Sequence, residues 1–240
     1  MDLNEYQIEA INHLDGPCFV SSCPGSGKTL VLVERVIKLI DRGINPKNIL
    51  CITFTNKAAG EMSERICKKL GVAKPSFFIG TFHALCALLL RKVGTLSGYT
   101  ANFDILDEND QIDFILQIGR QLAFSIEKGD AYKIAYAINN YRDQLEDISS
   151  LEDKLTNDPF ISIANKYLER SKQNDLIDFS GLIYETIQLL DNNDDIREKI
   201  QSIFKYIMVD ETQDTNISQY HLINLLGGKW KNIMVIGDPD

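Results

Sequence analysis

The segment Ser22-Cys23-Pro24-Gly25-Ser26-Gly27-Lys28-Thr29 constrains this 240-residue chain more than any other. It follows a short apolar run at 17–21. It precedes a stretch, 29–42, in which Leu32, Val33, Val36, Ile37 and Ile40 recur at helical spacing. A glycine-rich turn from strand to helix lets backbone N–H groups curl inward around an anion, and the helix N-terminus adds partial positive charge. Lys28 is placed to neutralise β/γ-phosphates and the Thr29 hydroxyl to ligate Mg²⁺. The strict pattern has Gly where this chain has Ser22, a single departure.

Such a turn belongs in a parallel sheet flanked by helices, and the flanking pattern agrees. Spacing and stop signals predict a helix over 5–13 behind Asn4, a strand over 17–21 and a helix over 29–42 stopped by Gly43. They then predict a strand over 48–54, a helix over 57–70 stopped by Gly71, a strand over 77–80 and a helix over 82–92. Strands joined by helices of this length imply right-handed crossovers. After the loop at Gly94-Thr95-Leu96-Ser97-Gly98 the pattern is helical, with Ile112, Ile115, Leu116 and Gly119 on one face and Tyr132, Ala135, Tyr136 and Asn139 on another. Alternation resumes with a helix over 178–190, a strand over 205–209, a helix over 218–226 and a strand over 232–236. The expected organisation is an α/β domain over 1–92 and 175–240, interrupted by an all-helical insertion over 93–174.

A phosphate loop needs an acid to hold the metal. Asp210 and Glu211 provide it at the end of the apolar run Tyr206-Ile207-Met208-Val209. Asp210 is placed to bind Mg²⁺, and Glu211 to orient and deprotonate the attacking water. A guanine-reading Asn-Lys-x-Asp loop is missing, since Asn56-Lys57-Ala58-Ala59 lacks the Asp.

The chain has a net charge of −9, which speaks against nonspecific coating of nucleic acid. The charge is uneven: 1–90 carry +2, 91–175 carry −5 and 176–240 carry −6. With 44% hydrophobic and 25% charged residues the composition is globular, excluding disorder. The longest apolar run, residues 84–90, is too short to span a membrane, and the acidic start carries no signal-peptide pattern. A cytoplasmic protein without membrane contact is expected. Five cysteines and three histidines lack zinc-site spacing and read as reduced, mostly buried thiols and isolated imidazoles.

Further motifs then fall into a known order. Leu3-Asn4-Glu5-Tyr6-Gln7, the phosphate loop, Ile52 to Met62, Gly80-Thr81-Phe82-His83, Asp178-Phe179-Ser180-Gly181-Leu182, Val209 to Asn216 and Val235 to Asp240 together resemble the first motor lobe of UvrD/Rep/PcrA-type superfamily 1 DNA helicases. The resemblance covers nearly the whole chain. It implies a RecA-like P-loop NTPase fold with ATP and Mg²⁺ as cofactors. It also implies nucleotide contacts from Gln7 (adenine edge) and from Ser22, Cys23, Pro24, Gly25, Ser26, Gly27, Lys28 and Thr29. Catalytic roles fall to Lys28, Asp210 and Glu211, and metal ligation to Thr29 and Asp210.

The implied partner is single-stranded DNA or a single/double-strand junction, moved along 3′ to 5′. Thr55, Asn56 and Lys57 sit where a strand gives way to a helix, so hydroxyl, amide and dipole can hold a DNA phosphate. Thr81 and His83 occupy the same position one strand over. Phe54 offers a ring for a base. Phe54 and His83 read equally well as a core phenylalanine and a structural histidine. The chain departs from the family at Ser22-Cys23 (small residues usual), Leu30 (often Arg), Gly60 (usually basic) and Thr212 (commonly aromatic). None of these removes a phosphate or metal ligand. The third motif stops at Asp240, so the expectation is a fragment whose second motor lobe is a missing partner and which alone binds ATP with little turnover. Two alternatives stay open: a nucleotide-switched protein-interaction module, or the motor part of a helicase–nuclease.

Overall fold

The computed structural model describes residues 3–23 and 25–238. In chain order the elements are α1 (Glu5–Asn12), β1 (Cys18–Ser21), α2 (Lys28–Asp41), β2 (Ile49–Thr53), α3 (Asn56–Leu70), β3 (Phe78–Thr81), α4 (Phe82–Val93), β4 (Asp104–Leu106) and α5 (Glu108–Gln121). They continue with α6 (Lys128–Asp143), α7 (Ser150–Lys154), α8 (Asp158–Gln173), β5 (Leu176–Asp178), α9 (Phe179–Asp191), α10 (Asp194–Ile203), β6 (Tyr206–Val209), α11 (Ile217–Gly227) and β7 (Ile233–Gly237). The described residues fall into two compact units. The first comprises Met1–Leu85, Asn193–Thr215 and Ile223–Asp240, and the second Cys86–Asn192 with Asn216–Leu222.

In the first unit the strands lie in the order β1-β7-β6-β2-β3, every neighbouring pair parallel. β2 is buried at all five positions, as a central parallel strand covered on both faces must be. Ser21 aligns with Gly237, Val209 with Val235 and Ile52, and Thr53 with Thr81, so the strands end along one common edge. Helix α2 buries Val31, Leu32, Val33, Val36 and Leu39 in a core shared with Ile49, Met62, Met208 and Ile236. Each such side chain contributes about 2 kcal/mol. Arg35, on the same helix, is fully buried. Its guanidinium donates to the carbonyls of Ala10 (2.9 Å), His13 and Leu14 (3.0 Å), satisfying acceptors left open at the end of α1. The start of α1 is closed by a reciprocal cap, in which Gln7 N donates to Asn4 Oδ1 and Asn4 N to Gln7 Oε1.

The second unit is helical apart from a short parallel ladder, β4 with β5, which the sequence pattern does not reveal. Its core joins Ile112, Ile115, Ile134, Ile138, Tyr141, Ile163 and Tyr167 from α5, α6 and α8. The expected domain limits at 92 and 174 therefore differ from the observed divisions, and β5 and α9 belong with the helices. The reason is Asp178, which caps α9 through Gly181 N (2.7 Å) while accepting from Arg142 Nη1 (2.8 and 2.7 Å), Tyr167 Oη (2.6 Å) and Ser180 Oγ (2.9 Å). These partners tie the start of α9 to α6 and α8. Burial opposes the charge on Asp178, but Arg142, Tyr167 and the Gly181 N–H hold its carboxyl below the usual range.

Asp178→Asn keeps the cap and leaves the Arg142 guanidinium buried without its anion. The expected cost is about 3–5 kcal/mol in urea unfolding at neutral pH. Because the folded pKa is depressed, the pair's contribution is complete above the ordinary carboxylate value and is lost as pH falls through the lowered one. Variant and wild type should therefore converge in acid.

Candidate active site

The phosphate-type loop leaves β1 at Ser22, whose N–H still donates to Gly237 O (3.0 Å). Ser26 then folds back, with its N–H and Oγ donating to Cys23 O at 3.3 and 2.6 Å, and its hydroxyl meets that of Ser22. Gly25 (φ +76°) and Gly27 (φ +93°) take the left-handed backbone that makes this curl. Gly27 is the N-cap of α2 and offers no side-chain cap, so the first N–H groups of a 14-residue helix are left for an anion. Gln7 braces the loop from outside, donating Nε2 to Ser26 O at 2.9 Å. Pro24 lies outside the described residues.

Two strands away, Asp210 N donates to Ile52 O (3.0 Å) at the end of β6, and the Asp210 carboxylate is buried facing the Thr29 hydroxyl. Burial raises its pKa, with the neighbouring Glu211 charge adding to the shift. Glu211 is one of few non-glycine residues with left-handed backbone (φ +55°, ψ +48°). That conformation is disfavoured for a residue with a Cβ and is found at functional sites more often than elsewhere. It turns the Glu211 carboxylate onto Lys28 Nζ at 2.9 Å. Burial disfavours the Lys28 charge, but Glu211 outweighs it and raises the pKa. Glu211 is itself held below its ordinary value, chiefly by Gln213 and then by Lys28. The donor set fits a nucleotide polyphosphate with a hard divalent cation: an uncapped helix N-terminus, one ammonium, one hydroxyl and one buried carboxylate converge.

Along the same edge, Thr55 caps α3 by accepting from Ala58 N (3.1 Å), and Thr81 accepts from Ala84 N (3.2 Å). Both hydroxyls keep a free donor hydrogen. Asn56 and Lys57 are exposed in the first turn of α3. Phe54 packs edge-on against Phe82, with ring centroids 5.9 Å apart, and burial lowers the pKa of His83. The β2–β3 register thus brings Phe54–Lys57 beside Thr81–His83. A cleft of about 940 Å³ in the second unit, lined in part by Tyr132, Tyr136, Lys133, Lys154 and Phe160, contains none of the expected site residues.

Residues 3–240 match the UvrD/REP helicase N-terminal domain family. The chain belongs to this family. It is 36% identical over 99% of its length to the ATP-dependent DNA helicase PcrA of Staphylococcus aureus (strain Mu50). It is 35% identical over its full length to PcrA of Staphylococcus epidermidis (strain RP62A). It spans about a third of the length of these relatives, 33% of each. Among the described residues, no helix is long and apolar enough to cross a membrane, and no group of His, Cys, Asp and Glu is gathered as a metal cage.

Within this UvrD/REP-family lobe, two site residues had no role in the sequence reading. Gln213 donates Nε2 to Glu211 Oε2 (2.6 Å) and accepts from Asp238 N (3.0 Å), bridging the acid loop to the end of β7. Gly237 lies against that bridge, where a Cβ would sit 2.5 Å from Thr212 Oγ1 and 3.1 Å from Gln213 Oε1. Their sequence signal is membership of the motifs Val209 to Asn216 and Val235 to Asp240, which by themselves assign neither residue a contact. Pro239 and Asp240, the end of the expected third motif, lie outside the described residues.

Gly237→Ala must displace the acid loop and is expected to cost about 1–3 kcal/mol in thermal unfolding. Asp210→Asn should act in the opposite direction. A raised folded pKa means the ionised carboxylate works against folding at neutral pH, so the variant should gain about 1 kcal/mol. That gain should disappear once pH falls below the ordinary carboxylate range.

Proposed function

We propose that this chain is the ATP-binding lobe of a cytoplasmic, ATP-dependent single-strand DNA translocase or helicase moving 3′ to 5′. The carrying observation is the convergence of Lys28, Thr29, Asp210 and Glu211 from the ends of β1 and β6. Lys28 and the first N–H groups of α2 bind the β/γ-phosphates. Thr29 and Asp210 hold Mg²⁺, which when bound neutralises phosphate charge. Gln7 has one amide hydrogen and one carbonyl lone pair beyond its observed bonds, enough to read an adenine edge while bracing the loop.

Lys28 links binding to chemistry. Taking up phosphate draws its ammonium from Glu211, and a carboxylate that loses a cation becomes more basic. Glu211 then accepts the proton of the attacking water while Gln213 keeps it aimed. DNA phosphates lie along Thr55, Asn56, Lys57 and Thr81, with Phe54 and His83 at the border. The −9 charge does not oppose this, because the edge belongs to the mildly basic first ninety residues. A second motor lobe is the partner that closes on the nucleotide.

In a longer chain that carries the second motor lobe, Lys28→Ala is expected to lower DNA-stimulated ATP hydrolysis about a hundred-fold or more while circular dichroism stays unchanged. Unaltered turnover would overturn the assignment. Lys57→Ala should weaken oligothymidylate binding and reduce the slope of affinity against salt by about one phosphate contact.

A further inference from the structure

The opposite edge of the same sheet carries a second concentration of unusual residues. The loops entering β2, β6 and β7 are stitched together there. Lys205 N donates to Asn48 O (2.8 Å), Asn48 Nδ2 to Ile203 O (2.8 Å) and Ile207 N to Asn232 O (2.9 Å). These loops present Lys47, Lys205, Lys229 and Lys231. Residues 176–240 carry a net −6 and hold only five basic groups, yet three of the five gather at this edge. None of the four lysines forms an ion pair with a described residue. Asp15, before β1, accepts from Tyr206 Oη at 3.1 Å.

At the centre is Trp230, the chain's one tryptophan. Its indole N–H donates to Gln201 O (2.8 Å), which fixes the ring, yet 39% of the residue stays exposed beside Ile203, itself 48% exposed. Lys205 Nζ and Lys229 Nζ lie over the ring at 4.9 and 5.9 Å from its centroid. A half-exposed aromatic with a satisfied polar end, ringed by uncompensated charge, has the composition of an interface anchor.

We propose that this edge docks an acidic segment of a partner protein, with the four lysines pairing its carboxylates and Trp230 and Ile203 receiving an apolar side chain. Two features favour a polypeptide over nucleic acid. The ammonium groups over Trp230 would have to be displaced before a base could stack. The strand ends assigned to DNA lie across the sheet, roughly 15 Å away for strands of four to five residues. That separation also leaves docking independent of the nucleotide reading.

Trp230 reports on its own surroundings. The 240-residue chain is titrated at low salt with a synthetic peptide of Asp and Glu around one central Leu, following tryptophan emission. The expected result is a saturable change, weakened about ten-fold or more on raising salt and unaltered by ATP. The same peptide with Asn and Gln in place of the acids should give none. The triple variant Lys205→Glu, Lys229→Glu, Lys231→Glu should lose at least about ten-fold in affinity with its melting temperature retained, whereas Lys74→Glu should bind like wild type. The proposal is overturned by no saturable change, by an equal response to the neutral peptide, by a triple variant that folds and binds normally, or by tighter binding of oligothymidylate at Trp230.

Discussion

The Lys28–Glu211 ion pair joins two loops whose residues are 183 positions apart, and much of the site depends on it. Parallel strands ending in common register bring the loops within reach, but register alone does not bring the charges to contact. Left-handed Gly27 starts α2 where Lys28 can turn back, and left-handed Glu211 points its carboxylate inward. The pair holds a cation and an anion with little water between them. Under the proposed function each charge passes to a competing ligand: phosphate for the lysine, a water proton for the carboxylate.

The site and the second unit handle buried charge in opposite ways. Asp178 is surrounded by donors, so burial is more than offset and the pair stabilises the fold. Asp210 is buried with an acid neighbour and weaker compensation, so its carboxyl is raised. Such a group is expensive to keep unless a cation is to be bound there. Backbone strain at Glu211 and the missing Cβ space at Gly237 mark the same region as one shaped for chemistry at some expense to stability.

Much of the fold was legible because its signals are local. The helices over 29–42 and 57–70 and the strands over 48–54 and 205–209 are found within about a residue of their expected limits, since apolar period and glycine stops act over a few residues. β4 was not legible, because three residues in a ladder carry no period. The grouping of β5 and α9 with the helices was not legible either, since the contacts of Asp178 run to Arg142 and Tyr167, distant in sequence. At the site, the glycines and adjacent acids announce their chemistry, whereas Gln213 lies inside the motif Val209 to Asn216 without a stated role: its contacts exist only because β7 ends beside the acid loop.

The sequence by itself singled out the groups to which we assign the chemistry, a curled glycine loop with Lys28 and Thr29 and an acid pair at a strand end, because those features need only neighbouring residues. The tertiary structure decided how they meet: Glu211 on Lys28, Gln213 between Glu211 and Asp238, and Lys205 and Lys229 over the ring of Trp230. Whole-chain charge could foresee none of this. A net of −9 is an average over sequence, whereas attraction and burial depend on distances that only the packed sheet sets.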